Sequence, residues 1–404
     1  MQIPKKICFL LILASVGTQV DAQLSSLNQL DGRVNTINTA VPFLRISPDA
    51  RSGAMGDAGI GLSPDASSIY WNTAKLAFAE EDMGLSVSYT PWLRELVPDI
   101  YLAHLGAYKR IDKLSTLALG LKYFSLGNIA FTDISGNPIG DFSPHEYHFA
   151  VGYARKLSES FSTGINLSYV YSNLASGYSV SGNVIKPGIG AAADISFMYH
   201  NDHIKIGDGK STLNIGATIS NIGNKITYTA NAQNKDFMPT DLGIGGGLIM
   251  KFDDFNRLTA ILDINKLLVP TPDSAGTFRN LSVPAGIFGS FSDAPGGFTE
   301  EFHELMYSGG LEYWYSTKDN KNVTHDLFAI RAGYYNEHKL KGNRKYLTAG
   351  VGIKYSVFGL NFSYLIPTSG QKNPLDNTLR FSLIFDFDKL GKGDKDTSAT
   401  PNSN

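Results

Sequence analysis

The sequence is poor in the groups most often used for chemistry. Its one cysteine, Cys8, lies within the first 22 residues. Without that segment no thiol remains, which excludes disulfides, thiol catalysis and cysteine-held metal. Only 18% of the residues are charged, and 35 Lys and Arg against 37 Asp and Glu give a net charge of −2. That balance argues against a nucleic-acid surface built on bulk positive charge. Beyond the N-terminus no run of about 18 apolar residues occurs, so no transmembrane helix is expected. No paired carboxylates and no Ser-His-Asp order stand out, so catalysis has no support in the sequence, although a barrel can assemble such groups from distant strands.

Turn-formers and aromatics are abundant: Gly 41, Tyr 20 and Phe 23. That mixture suits many short strands better than helices. A chain of 404 residues has room for two or three domains, but a large barrel occupies this length as one.

The N-terminus reads as a secretion leader. Lys5 and Lys6 precede the apolar run 7–16, and Val20, Asp21 and Ala22 offer a cleavage site before Gln23. The run is too short to span a bilayer. Cys8 sits well before the cleavage site, which argues against a lipoprotein anchor. Residues 23–40 are polar and without period, an extended periplasmic lead. The stretch 41–76 then departs from everything around it. Gly53, Gly56, Gly59 and Gly61 permit φ > 0. Two Ser-Pro-Asp steps place Ser47 and Ser63 as helix caps, with Pro48 and Pro64 in the first turn. It reads as a compact helical or irregular plug on the periplasmic side.

From residue 83 the period is two. Leu117, Leu119, Leu121 and Tyr123 alternate with Ala118, Gly120 and Lys122. Leu379, Phe381, Leu383, Phe385 and Phe387 alternate with Arg380, Ser382 and Asp386. Clear and weaker segments together bring the expected strands to 14. A soluble sandwich shares this alternation. Three features favour a transmembrane barrel. Many segments reach about nine residues or more. Tyr and Phe recur near strand ends, at Tyr89, Tyr108, Tyr123, Tyr171, Tyr199, Tyr315 and Tyr355, as interface girdles do. Connections alternate short (110–114, 156–160, 251–256, 356–357) and long (125–144, 174–187, 222–238, 268–304), the pattern of periplasmic turns and outer loops. The expected architecture is all-β: a 14-stranded antiparallel transmembrane barrel at 83–388, preceded by leader (1–22) and lead with plug (23–82), and followed by a polar tail (389–404).

Candidate chemistry is sparse. GAMGDAGIG at 53–61 lacks the βαβ frame of a phosphate loop, and GYSVSG at 177–182 is not a nucleophile elbow. His200 and His203, flanking a turn with Asp202, could touch a metal transiently, though solvated turn residues are the plainer reading. No catalytic, cofactor or metal site is expected. Register points Lys122, His148, Asp194, Asp263, Glu312, Arg331, Lys354 and Arg380 into the lumen, where charge can pair or stay wet. Facing lipid, an Arg or Lys would cost about 2–4 kcal/mol at mid-bilayer. In the first outer loop, Trp92, Leu93, Leu96 and Val97 form an apolar cluster. It is either a partner surface or packing over the barrel mouth.

Three stretches carry a resemblance: VPFLRISPDARSGAMGDAGIGLSPDASSIYWNTAKLAF at 41–78, SYTPWLRELVPDI at 88–100 and NPLDNTLRFSLIFDF at 373–387. They resemble the PorV (LptO) family of the type IX secretion system, and the likeness extends over nearly all of the chain after the leader. The first stretch is shared with fatty-acid-transporter-like barrels in general; the second is more specific. Where relatives read Asn-Pro-Ala, this chain has Asn72-Thr73-Ala74, so a looser turn is expected there. The tail after Phe387 displaces the C-terminal aromatic signal of outer-membrane proteins from the chain end.

The resemblance implies a barrel without enzymatic activity in the outer membrane of a Gram-negative, Bacteroidetes-type cell, with both termini periplasmic. It implies receipt of cargo bearing a C-terminal signal domain from the translocon, and delivery to a surface sortase complex that attaches cargo to lipopolysaccharide. Transport of hydrophobic small molecules is the alternative. A lipid-A-modifying role attributed to the family has no residues here to carry it.

Overall fold

The computed structural model describes residues 36–387 apart from 93–98, 133–134, 181–182, 207–208, 230–234, 273–276, 319–323 and 369–377. The leader, the lead up to residue 35, the tail, and Leu93, Leu96 and Val97 lie outside the described residues.

Among the described residues, eighteen strands follow the N-terminal segment: β1 (Met83–Pro91), β2 (Ile100–Arg110), β3 (Ser115–Leu126), β4 (Ile129–Thr132), β5 (Pro138–Phe142), β6 (His145–Lys156), β7 (Phe161–Asn173), β8 (Ser179–Val180), β9 (Asn183–Val184), β10 (Gly188–Ile206), β11 (Gly209–Gly223), β12 (Asp241–Lys251), β13 (Asn256–Leu267), β14 (Met306–Lys318), β15 (Thr324–Asn336), β16 (Lys345–Tyr355), β17 (Phe358–Pro367) and β18 (Leu379–Phe387). Fourteen of them form one closed antiparallel barrel, each paired with its neighbour along the chain. The circle closes where β1 meets β18, with Met83 opposite Phe387 and Tyr89 opposite Phe381. β4–β5 and β8–β9 are small hairpins within two of the long connections.

One end of the barrel carries short turns and the other carries long loops. The short turns are locally specified. Asp112 accepts from the Leu114 and Ser115 amides, Ser158 from Phe161, and Asp253 from Phe255 and Asn256. Side chains that satisfy the backbone two or three residues on make such turns close. His200, Asp202 and His203 are not at a turn. They lie inside β10, which runs on to Ile206 with a register shift between Asn201 and Ile204.

The alternation sorts as expected. Val87, Leu119, Val151 and Leu167 face outward with apolar neighbours, while Ser86, Ser88, Thr116 and Asn166 are buried inside. A chain of rings (Tyr89, Tyr101, Tyr123, His145, Tyr171 and Tyr147) crosses five strands near the long-loop end, at centroid spacings of 4.9 to 6.3 Å. This is an interface girdle. Tyr108 is not part of a girdle. It shares the inward parity of Leu102 and His104 and packs beneath the plug beside Leu76 and Ala118.

The segment before β1 fills the lumen. Ala40 donates to the Phe237 carbonyl in the long loop after β11, and Phe43 and Leu44 pack under Trp92, Leu102 and Phe124. Further along, Ala74 and Leu76 meet Ser162 and Thr116, which begin strands at the short-turn end. The expected placement on the short-turn side therefore describes only its second half; the first half reaches the long loops. Of the four glycines at 53–61 only Gly56 has positive φ, at 75°. The others serve close approach. A Cβ on Gly61 would stand 2.6 Å from the Gly247 nitrogen, and one on Gly333 only 2.1 Å from that of Gly56. Strand and plug touch backbone to backbone there. Gly333→Val should leave the barrel able to form while costing at least about 1–3 kcal/mol from overpacking. The check is a lowered denaturation midpoint together with new protease cleavage inside 41–62.

Candidate functional site: the plugged lumen and its long-loop mouth

Plug and wall are joined by buried charge. Arg51, on a short helix (Ala50–Gly53), meets Glu312 of β14 through Nε and Nη2, each at 2.9 Å. Arg331 of β15 reaches the same carboxylate at 2.7 Å and the Asn361 oxygen at 2.9 Å. Arg51 also bonds Asp65 and the Ser63 hydroxyl, so one guanidinium ties two parts of the plug to the wall. Burial alone would pull the Arg51 pKa down; Glu312 and Asp65 outweigh it and hold the group charged. A second clamp joins Asp57 to Arg380 (2.8 Å) and Tyr346 (2.5 Å). In a third, Asp263 accepts from the Gly59 and Ile60 amides at 2.7 and 2.9 Å.

The local folding of the plug departs from the capping pattern read in the sequence. Asp49, not Ser47, caps Ala50–Gly53 by accepting from the Ser52 amide at 2.8 Å, and its other oxygen takes the Trp71 indole at 2.7 Å. Burial, then Asp65, raises the Asp49 pKa. Asp65 accepts from the Ser67 amide ahead of the second helix (Ser68–Trp71). In each Ser-Pro-Asp step the carboxylate is the better-placed acceptor; Ser63 is spent on Arg51. Nor is Thr73 a loose point. Its hydroxyl lies 2.7 Å from the Asn166 oxygen on β7, while Asn72 accepts from the Ala74 amide. Proline could make neither the hydroxyl contact nor a replacement for it.

Among the described residues, cavities lie on both sides of the plug, and a further one of about 250 Å³ lies between Arg45, Glu304, Glu337 and Lys341. The one toward the long loops measures about 250 Å³ and is bordered by Arg45, Asp57, Tyr70, Trp71, Lys122 and Asp241 among others. The one toward the short turns measures about 240 Å³ and is bordered by paired charges such as Lys354 with Asp386 and Arg257 with Asp326. Each has space for a small molecule only.

Over the long-loop mouth, the connection 268–305 is pinned by charge. Glu301 and Glu304, buried at the end of a helix (Phe298–His303), both bond Lys266 of β13. Lys341, in the loop after β15, holds Glu300 at 2.7 Å and Glu304 at 2.9 Å. The same connection exposes Phe288, Phe298 and Phe302, at 77%, 84% and 56%. Sequence reading missed this apolar surface. Its signal was present in FTEEF, two phenylalanines four apart in a segment without strand alternation.

All eight charged residues assigned to the lumen face it. The four apolar residues of the first outer loop divide. Trp92 is buried, edge-on to Phe124 at 6.0 Å, so it packs the barrel mouth; Leu93, Leu96 and Val97 lie outside the described residues. Among the described residues no group of three His, Cys, Asp or Glu could hold a metal; His203 pairs only with Asp202, at 3.4 Å. Of the 177–182 motif, Ser179 and Val180 sit in the β8–β9 hairpin.

Two substitutions test the buried charges of plug and wall. Glu312→Gln leaves Arg51 and Arg331 facing each other, and breaking a buried pair of this kind costs about 3–5 kcal/mol, read as a lowered unfolding midpoint. Lys75, buried with its Nζ on the Gly59 carbonyl at 2.7 Å, has its pKa lowered to about 8, chiefly by burial. The unfolded chain, at the ordinary 10.5, binds more protons between those values, so stability should rise from about pH 8 to pH 10.5. The full rise is on the order of 3 kcal/mol. Unfolding midpoints of Lys75→Met across that window should be flat by comparison.

A sequence model described as "Type IX secretion system protein PorV" matches residues 28–274, more than half of the chain. No curated protein matches. Similar solved structures include a Pseudomonas aeruginosa FadL homologue (11% identity, 85% of this chain and 99% of that one, TM-score 0.43) and the P. putida toluene transporter TodX (12%, 84% and 98%, 0.46). A third is BamA from Haemophilus ducreyi lacking POTRA domains 1–3 (12%, 83% and 76%, 0.35). At these scores they carry no argument about function, and the closed barrel stands on its own strand pairing. With the family match spanning the plug and the barrel through β13, this chain belongs to the PorV family of type IX secretion, as an outer-membrane β-barrel.

Proposed function

We infer that the protein receives cargo with a C-terminal signal domain from the type IX translocon and delivers it to the surface sortase and attachment complex. One observation carries the reading beyond family membership. The lumen is closed by a plug that supplies partners for buried wall charges. The cavities, each about 240 to 250 Å³, cannot pass a polypeptide. In this reading the chain works by surface contact. In this reading the short turns are periplasmic, as is the end of β18, and the long loops face outward. Leu93, Leu96 and Val97, which follow Trp92 in the sequence, are offered as the partner contact, and the exposed phenylalanines of 268–305 supply apolar surface of their own at the long-loop end. Transport of a hydrophobic small molecule is the weaker reading, because charges of both signs border the cavity toward the long loops.

The test is co-purification of the full chain with cargo, translocon and sortase from cells carrying L93S/L96S/V97S. Recovery of at least one of these partners should fall about tenfold or more, with heat-resistant barrel migration unchanged. Normal secretion by the triple variant would remove this loop from the interface. Trp92→Ala should act differently: loss of a buried aromatic costs about 3–5 kcal/mol, read as a lowered thermal midpoint.

A further inference from the structure

The cavity on the long-loop side of the plug is bordered by charges of two kinds. Most are consumed by the protein. Lys122 donates to the Leu44 and Ile46 carbonyls at 3.1 and 2.9 Å. Arg380 holds Asp57 at 2.8 Å, and Arg344 holds Glu337 at 2.8 Å. Asp194 accepts from Asn166 at 3.0 Å and from the Asn221 amide at 2.6 Å. Arg45 and Asp241 are not consumed. Among the described residues, Arg45 has one partner, the Met306 sulfur at 2.9 Å, and no residue hydrogen-bonds or ion-pairs with the Asp241 carboxylate. Both border the same cavity; Arg45 and Arg344 attract the Asp241 carboxylate across it, but no hydrogen bond or ion pair closes the gap. Two neutral polar atoms on its lining, the Ser47 hydroxyl and His148 Nε2, are buried without partners.

A cation and an anion that face one cavity without direct contact define what fits between them. Burying either charge uncompensated is costly. A hydrocarbon would satisfy neither, and a singly charged ligand would leave the other exposed. A molecule with both charges satisfies both. The volume of about 250 Å³ falls just below the range for drug-sized ligands. Tyr70, Trp71 and Trp92 on the lining offer faces for an apolar side chain.

We propose that this chamber binds a small zwitterion, an amino acid or dipeptide, with its carboxylate at Arg45 and its ammonium at Asp241. The site does not depend on the cargo-shuttle reading, and either can fail without the other.

The full chain, purified in detergent, is titrated by calorimetry and by tryptophan fluorescence, since Trp71 and Trp92 border the cavity. The probes are L-phenylalanine and glycyl-L-phenylalanine as zwitterions, 3-phenylpropionate as carboxylate alone, phenethylamine as ammonium alone, and toluene as neither. Saturable binding of at least one zwitterion is expected, with each singly charged probe at least tenfold weaker and toluene silent. Arg45→Gln should erase the advantage over phenethylamine, and Asp241→Asn the advantage over phenylpropionate. Absence of binding by both zwitterions would make the chamber a water-filled void and end the proposal. So would equal binding of singly charged probes or toluene, or variants that bind as the parent does. Heat-resistant migration verifies folding of each variant; if one fails it, the probe series on the parent chain decides alone.

Discussion

A carboxylate held between two guanidiniums governs this molecule. Glu312 and Arg331 belong to adjacent strands of the wall and oppose each other in register; Arg51 arrives from the plug as a second cation, shares the Glu312 carboxylate and is balanced by Asp65. The barrel cannot turn such groups outward, because lipid penalises them. Turned inward they need partners, since a buried charge left alone costs more than any one packing contact repays. Asp57 on Arg380 and the Gly59 and Ile60 amides on Asp263 repeat the logic at other heights. The plug is thus the complement of the wall's inner face.

Closure has consequences at both ends. A lumen occupied from the long-loop mouth to the short-turn end leaves the rims as the places where another protein can act. At the mouth, Glu301 and Glu304 fix the longest connection between Lys266 and Lys341, so the phenylalanines it exposes are carried on a braced support. The same mouth is sealed inside by Phe43, Trp92 and Phe124. The two open charges of the chamber stand out because almost every other charge nearby has been paired.

Much of the barrel was legible in advance. Leu117, Leu119 and Leu121 alternate with residues that face a filled lumen, and short connections alternate with long ones; both are local properties of strands and turns. Less legible was the inner face. Leu102, Tyr108 and Phe124 are large and apolar yet point inward, which hydrophobic alternation cannot distinguish from lipid-facing residues, because the plug they pack on is itself apolar there. The glycines at 53–61 were visible, but their reason was not: proximity to Gly247 or Arg380 requires the wall in place, and proximity to Trp71 requires the plug folded back on itself. Thr73, which looked like a weakened turn, gains its partner from β7.

The sequence by itself determined the period, the strand number, the turn chemistry and the side on which charges fall, since each depends on residues within a few positions of one another. Tertiary structure alone decided which charges meet. Arg51 and Glu312 are separated by 261 positions, and no local pattern links them. Their pairing exists because closing β1 on β18 wraps the wall around the segment that precedes it. For the same reason only the closed barrel reveals which two charges, Arg45 and Asp241, remain open.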